Sequence, residues 1–140
     1  MEIKGSVAIV TGGANGIGES VAKYLASNGA KVAIVDMQQD RIERVLADIR
    51  NSGGVAIGIQ ADVTREDDTA RFVAETVSAF GHLNIAVTCA GIIRDGTMLT
   101  LDRETGTVTK KLGLDKWKPV IDVNLTGSFL TLRDAAEAMV

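Results

Sequence analysis

The sequence predicts an α/β fold in which a parallel sheet is covered by helices on both faces. Short β-branched runs alternate with amphipathic helical segments between residues 7 and 88. Parallel strands need long crossover connections, and the helical segments supply them. Right-handed crossovers favour a doubly wound sheet of Rossmann type with strand order 3-2-1-4, which binds ligands at the carboxyl ends of its strands.

Four short apolar runs have the length and composition of buried strands. The predicted strands are Val7–Val10, Lys31–Asp36, Val55–Ile59 and Ile85–Thr88.

Three helical segments connect these strands. The first runs from Gly16 to about Asn28 and ends at Gly29, a residue type suited to a helix C-terminus. The third begins with Thr64 as its predicted N-cap and ends at Gly81. Apolar spacing defines the faces of the second and third helices, through Ile42, Val45, Leu46 and Ile49, and through Val73, Thr76, Val77 and Phe80.

The last third of the chain begins with a polar excursion over residues 94–113. Met98–Leu101 and Thr107–Thr109 flank a turn-forming stretch, so the excursion is predicted to be a β-hairpin. A last helix should follow, with Asp115 as its cap and Pro119 in its first turn, where a missing N–H costs least.

Composition limits the function classes. The chain has 140 residues, 46% of them hydrophobic, which suits one domain over residues 1–140. Its formal net charge of -3 argues against nucleic acid as the main partner. A single cysteine, Cys89, excludes an internal disulfide and suits a reducing compartment, so we expect a cytoplasmic protein. No stretch of the sequence approaches the length of a membrane span, so no membrane crossing is expected.

The segment Thr11–Gly18, TGGANGIG, follows the first strand and opens the first helix. A glycine-rich turn at a helix N-terminus is a phosphate-binding element, because free backbone N–H groups there point at the anion. The spacing differs from the G-x-G-x-x-G fingerprint, but Asp36 ends the second strand where a ribose-binding carboxylate is expected. The alternative for Asp36 is an ordinary turn residue.

Four motifs in order resemble those of the short-chain dehydrogenase/reductase family. TGGANGIG resembles TGxxxGIG, and Asp62-Val63 resembles the pair that contacts adenine. Thr88–Gly91 stands where the family has NNAG, although Thr88 and Cys89 replace its two asparagines. Asp122–Gly127 resembles the helix that carries the catalytic asparagine.

The resemblance implies a role for each matching residue. Asp36 would bind the adenosine ribose hydroxyls and repel a 2′-phosphate, and Met37 supplies no compensating Arg, so NAD is expected in preference to NADP. Cys89 is interpreted as a packing residue and not as a nucleophile. The implied cofactor-binding residues are the cradle of Gly12, Asn15, Gly16, Ile17 and Gly18, the adenosine side of Asp36, Asp62 and Val63, and the nicotinamide-side loop of Cys89, Ala90 and Gly91.

Catalysis in the resembled family uses a Tyr, a Lys four residues later, a Ser and an Asn. Asn124 matches the Asn, whereas the single tyrosine, Tyr24, is interpreted as a packing residue of the first helix. We therefore expect the cofactor-binding half of an oxidoreductase acting on secondary alcohols or ketones, without appreciable turnover by this chain alone. The alternative is a non-catalytic nucleotide-binding or interaction module. His82 follows Gly81 in a turn and predicts no metal or acid–base role.

Oligomerisation is expected from two apolar surfaces. The last helix is apolar on more than one side, and the chain stops at Val140 without a capping residue. The fourth strand would form an open edge of the sheet, which invites pairing. We expect either a fragment of a longer enzyme or a homo-oligomer that uses the last helix or this edge.

Overall fold

A computed structural model of the chain describes residues 2–140. Its main sheet has four parallel strands in the order β3-β2-β1-β4, which confirms the predicted fold class. The strands are β1 Val7–Thr11, β2 Lys31–Asp36, β3 Val55–Gln60 and β4 Ile85–Thr88, connected by the helices α1 Gly16–Ser27, α2 Gln39–Asn51 and α3 Glu66–Phe80.

The remaining elements follow β4. A two-stranded antiparallel sheet is formed by β5 Leu99–Leu101 and β6 Val108–Lys111, which lie within the polar excursion 94–113. A nearly continuous helical region then comprises α4 Leu114–Ile121, a π-helical segment Asp122–Thr126, and α5 Gly127–Met139.

Strand β1 lies at the centre of the sheet, and all five of its residues are buried. Because side chains alternate across a strand, β1 contributes to two separate cores. Ala8 and Val10 pack with α1 and α2, whereas Val7 and Ile9 pack with α3 and α5.

Polar anchors fix the amino end of this central strand. Asn84 brackets Val7, since its side-chain oxygen accepts the Val7 N–H at 2.9 Å and its own backbone N–H donates to the Val7 carbonyl at 3.0 Å. At the other end, Thr11 is level with Val35 of β2 and Thr88 of β4. The carboxyl ends of three strands therefore meet at one edge of the sheet.

Two predicted helix caps are wrong. Thr64 does not cap α3: the N-cap position is Arg65, and the Thr64 hydroxyl instead donates to Asp62 Oδ1 at 2.8 Å. Asp115 does not cap α4, because that helix begins at Leu114 and leaves Asp115 in its first turn. Pro119 consequently lies inside the helix and not in its first turn. At this interior position it leaves one carbonyl without its usual N–H partner.

Tyr24 is not a packing residue, because 60% of it is exposed. The buried stripe of α1 consists of Gly18, Ala22, Leu25 and Ala26. Ala22 follows Gly18 by four positions and precedes Leu25 and Ala26 by three and four, so these residues share one face of the helix, whereas Tyr24 lies on the side that faces solvent. The pattern of Val21, Tyr24 and Leu25 suggested an apolar face that is wider than the buried stripe.

Candidate functional site

A cleft of about 560 Å³ opens at the carboxyl ends of the main-sheet strands. This volume is within the range of small-molecule and cofactor sites, roughly 300–1,000 Å³. Every residue predicted to bind the cofactor lines it, namely Gly12, Asn15, Gly16, Ile17, Gly18, Asp36, Asp62, Val63, Cys89, Ala90 and Gly91.

Glycine is required at three positions of the loop after β1. Gly12 has a φ of 64°, and a Cβ there would lie 2.7 Å from the backbone nitrogen of Ala90. A Cβ at Gly18 would collide with the carbonyl oxygen of Gly12. Gly16 has a φ of 53°, which disfavours any side chain although the space around it is open. Gly12 and Gly18 let the loop and the first turn of α1 pack closely against the loop after β4.

The first turn of α1 presents backbone donors to the cleft. The first helical hydrogen bond runs from the Glu19 N–H to the Asn15 carbonyl, so the preceding N–H groups of Gly16, Ile17 and Gly18 have no partner within the helix. Asn15 occupies the N-cap position without a side-chain capping bond. Uncapped donors at the positive end of a helix dipole suit the pyrophosphate of a dinucleotide.

Asp36 lies at the end of β2 and is tied to the glycine-rich loop. Its Oδ2 accepts the Ala14 N–H at 3.3 Å, and its Oδ1 accepts the Gln38 N–H at 3.2 Å. A carboxylate has about four acceptor positions, so capacity remains for two ribose hydroxyls. The donor set of the loop and the acceptor set of Asp36 together fit the phosphate and ribose parts of the predicted cofactor.

Sequence reasoning missed several residues of the cleft wall. Arg41, on the first turn of α2, is the most consequential, because it is a cation in the lining of the same cleft as Asp36. The sequence does carry a signal for it: if α2 starts directly after the loop that follows Asp36, then Arg41, next to Ile42, falls in the first turn of that helix. The other residues missed are Val35, Met37, Gln38, Ala61, Ile92, Ile93 and Val123.

Asp62, just after β3, is held by hydrogen bonds to its side chain and from its backbone. Its Oδ1 accepts from the backbone N–H and the hydroxyl of Thr64, at 2.9 and 2.8 Å. Its own N–H donates to Asp68 Oδ2 at 2.9 Å. This backbone N–H and the Arg71 guanidinium hold the pKa of Asp68 below its ordinary value, so the anchor stays charged.

Cys89 begins the loop after β4 and packs against the glycine-rich loop after β1. Its N–H donates to the Thr11 carbonyl at 3.1 Å, and a Cβ placed on Gly18 would lie 3.2 Å from the Cys89 Cβ. Burial raises the pKa of the Cys89 thiol, which disfavours the nucleophilic thiolate. The position therefore supports a packing role.

Asn124 lies in the π-helical segment and clamps the same loop from the other side. Its Oδ1 accepts the Ile92 N–H at 2.9 Å, and its Nδ2 donates to the Ile92 carbonyl at 3.0 Å. The neighbouring Val123 lines the cleft, whereas Asn124 itself does not. In this chain Asn124 therefore fixes the backbone that borders the site.

The motifs, the sheet order and the cleft agree with a comparison of the sequence with protein families. A sequence model described as short chain dehydrogenase matches residues 6–140. This chain belongs to the short-chain dehydrogenase/reductase family. Its members are oxidoreductases that bind NAD(P).

Individual relatives are similar over nearly the whole of this chain. Zerumbone synthase of Zingiber zerumbet is 36% identical over 140 residues, which cover 100% of this chain and 49% of that protein. Secoisolariciresinol dehydrogenase of Forsythia intermedia is 38% identical over 138 residues, covering 99% and 46%. The chain thus spans about half the length of the curated relatives it matches.

Solved structures show the same relation. A short-chain dehydrogenase/reductase from Serratia marcescens superposes with a TM-score of 0.84 at 34% identity. The match covers 99% of this chain and 53% of that one. The strand order and the flanking helices described above are therefore those of the amino-terminal part of this fold.

Neither a metal-binding cluster nor a membrane-spanning helix is found among residues 2–140. Within that range, no group of three or more His, Cys, Asp or Glu side chains is arranged to hold a metal ion. Over the same residues, none of the helices combines the length and the apolar character that crossing a membrane requires.

Proposed function

We propose that this chain is the NAD-binding portion of an oxidoreductase that interconverts a secondary alcohol and a ketone. The observation that carries the proposal is that one cleft contains both backbone N–H donors and a carboxylate acceptor. Uncapped N–H groups of Gly16 and Ile17 suit a pyrophosphate, and Asp36 suits the ribose beside it. The bound nicotinamide would supply a hydride acceptor or donor.

The roles of the chain's own residues follow from their places in the cleft. The loop Gly12–Gly18 binds the pyrophosphate, Asp36 orients the adenosine ribose, and Asp62 with Val63 borders the adenine. Cys89, Ala90 and Gly91 border the nicotinamide ribose through their backbone. Asn124 keeps that border in place by its two hydrogen bonds to Ile92 and would contribute to proton transfer in a longer protein.

NAD is proposed in preference to NADP because of Asp36. A carboxylate beside the ribose repels a 2′-phosphate, and each charged hydrogen bond it makes contributes about 1.5–3 kcal/mol. Arg41, which also lines the cleft, is the one observation that favours the opposite choice, because a guanidinium is a good phosphate ligand. The order of the two affinities therefore depends on which charge lies nearer the 2′ position.

Calorimetric titration of the purified chain with NAD and with NADP tests the proposal. We expect NAD to bind more tightly, and Arg41→Met to weaken NADP more than NAD. Failure of both dinucleotides to bind would overturn the proposed function. Tighter binding of NADP would leave the dinucleotide site standing and reverse the cofactor assignment.

A non-catalytic nucleotide-binding module is the second candidate function. The observation that favours it concerns the acid–base residues. Asn124 matches one catalytic residue of the family, whereas Tyr24 is exposed on α1, away from the cleft motifs. Loss of an acid–base residue alone reduces a rate by about 10²–10⁴. We therefore expect the 140-residue chain to bind NAD without appreciable oxidation of secondary alcohols, and robust turnover by it would contradict this.

A homo-oligomer is proposed through the helical region after the hairpin. Leu125, Phe129 and Leu132 recur at helical spacing and are 63%, 60% and 48% exposed. Trp117 on α4 is 53% exposed. Contiguous exposed apolar surface on a folded chain marks an interaction site.

A further inference from the structure

Ala14 lies in the middle of the proposed phosphate-binding loop, and both its backbone N–H and its carbonyl make hydrogen bonds. It is fully buried, and its N–H donates to Asp36 Oδ2 at 3.3 Å. Its carbonyl accepts from Arg44 Nη2 on α2 at 3.2 Å. The preceding Gly13 N–H donates to the Val35 carbonyl at 3.2 Å. The loop is thus attached to the end of β2 and to α2 at the same time.

Arg44 is itself fixed by a fork to Glu19 on α1. Its Nη1 and Nη2 donate to Glu19 Oε1 and Oε2 at 2.9 and 2.7 Å. Lys23 adds a bond to Glu19 at 2.7 Å and one to Asp48 at 2.8 Å. A hydrogen bond from Arg44, which has the larger effect, and one from Lys23 lower the pKa of Glu19 to about 2, so the carboxylate keeps its charge near neutral pH.

Peptide geometry transmits this restraint to the cleft. In a trans peptide the carbonyl of one residue and the N–H of the next point in opposite directions within one plane. The bond from Arg44 to the Ala14 carbonyl therefore directs the Asn15 N–H away from α2. Asn15 lines the cleft, whereas Arg44 does not. Any effect of Arg44 on a ligand must then pass through the Ala14–Asn15 peptide or through long-range charge.

We propose that Arg44, together with Glu19, is a positioning pair that sets dinucleotide affinity by fixing the Ala14–Asn15 peptide. The pair orders the loop in advance, so the backbone donors already face the pyrophosphate before it arrives. This inference rests on the proposed function, because it assumes that a dinucleotide occupies the cleft.

Long-range charge makes the opposite prediction for one member of the pair. Glu19 is an anion in the first turn of α1, close to the proposed pyrophosphate. If charge alone mattered, Glu19→Gln would strengthen binding of an anionic ligand. If the pair positions the peptide, Glu19→Gln loosens Arg44 and weakens binding.

Arg44 offers a second separation of the two effects. Arg44→Lys keeps the positive charge, but an ammonium cannot make the fork to Glu19 while also reaching the Ala14 carbonyl. Positioning therefore predicts that Lys does not rescue the loss seen in Arg44→Met. Arg50→Met removes a cation from the last turn of the same helix and serves as the matched control.

The test is calorimetric titration of NAD into the wild-type chain and these four variants. We expect binding to weaken about five- to tenfold in Arg44→Met and Arg44→Lys, the loss of one charged hydrogen bond at a half-exposed side chain. We expect about threefold weakening in Glu19→Gln and no change in Arg50→Met. Wild-type affinity in Arg44→Lys, or tighter binding by Glu19→Gln, would overturn the proposal.

Hydrogen exchange of the chain without ligand separates this inference from the proposed function. In Arg44→Met we expect about tenfold faster exchange of the Gly13 and Ala14 amides, and unchanged exchange in α3. Equal protection in wild type and variant would overturn the positioning role, even if NAD binds. Faster exchange together with no NAD binding by the wild type would instead contradict the proposed function.

Discussion

At the scale of single residues, Asp36 is the side chain on which the proposed preference for NAD depends. Its carboxylate joins the end of β2 to the phosphate-binding loop through Ala14 and still has free acceptor positions. Asp36→Ala should weaken NAD binding roughly tenfold to hundredfold, by the loss of a charged hydrogen bond. NADP binding should stay equal or improve, because the repulsion of the 2′-phosphate disappears.

Titration of both dinucleotides measures this effect. Asp40→Ala, which removes an exposed carboxylate four residues further along in the first turn of α2, is the control and should leave both affinities unchanged. Unaltered NAD affinity in Asp36→Ala would show that this carboxylate does not contact the ribose.

Gly12 should be intolerant of substitution for two separable reasons. Its φ of 64° strains any L residue, and an added Cβ would lie 2.7 Å from the Ala90 nitrogen. Gly53 has a φ of 82°, but an added Cβ there would meet nothing within 4 Å, so Gly53→Ala measures strain alone. We expect about 1–2 kcal/mol of destabilisation from strain and about 1–3 kcal/mol more in Gly12→Ala from the clash.

Urea unfolding of the two alanine variants checks this difference. Equal loss of unfolding free energy in both would mean that the loop after β4 moves aside without resistance. The close approach of the two loops would then not be a constraint on the site.

At the scale of elements, α1 and α2 are joined by a network of ionised side chains. Glu19 is its centre, and its pKa in the folded chain is lowered to about 2 from an ordinary 4.5. A lowered folded-state pKa stabilises the fold above the ordinary value, and this contribution is lost as the pH falls from about 4.5 towards 2. Glu19→Gln should therefore reduce the unfolding free energy at pH 7, and the difference from wild type should shrink in acid.

Urea unfolding at a series of pH values tests this dependence. Glu137→Gln, at an exposed position of α5, is the control and should show little difference from wild type at any pH. A difference for Glu19→Gln that is independent of pH would mean that the side chain contributes by packing and not by its charge.

Elements that depend on burial could be predicted from the sequence, whereas those that depend on local polar competition could not. The runs around Ile9 and Ile34 indicate central strands because they are short, rich in β-branched residues and continuously apolar, as strands buried on both faces of a parallel sheet are. Thr64 and Asp115 have the residue types of helix caps, but Asp62 captures the hydroxyl of the former, and α4 starts before the latter. Side-chain competition of this kind leaves no periodic pattern.

The same distinction applies to the candidate site. Glycine spacing and strand ends place the cradle and Asp36, because both follow from backbone geometry. Arg41 and Arg44 lie on the polar side of α2, where periodicity imposes no residue type. Their part in the site depends on how α2 packs beside the loop, which is a property of the three-dimensional structure.

At the scale of the whole molecule, the exposed apolar side chains of α5 predict self-association. We expect the chain to form a dimer through this surface and Phe129→Glu to shift it towards a monomer, since taking a carboxylate out of water into an apolar interface is unfavourable. Light scattering over a concentration series measures the change. Tyr24→Glu alters another exposed aromatic side chain, on α1, and should leave the association state unchanged. If Phe129→Glu does not change the association, the chain does not associate through α5, and the open edge of β4 becomes the proposed contact.

The bracket of Val7 by Asn84 has a consequence for how the protein is made. The two residues are 77 positions apart, so β1 emerges from the ribosome long before the strand that covers its second side. During that interval β1 can pair only with β2, and its other edge is open to strands of neighbouring nascent chains. Synthesis that pauses before residue 84 should leave the most apolar strand of the protein dependent on chaperones.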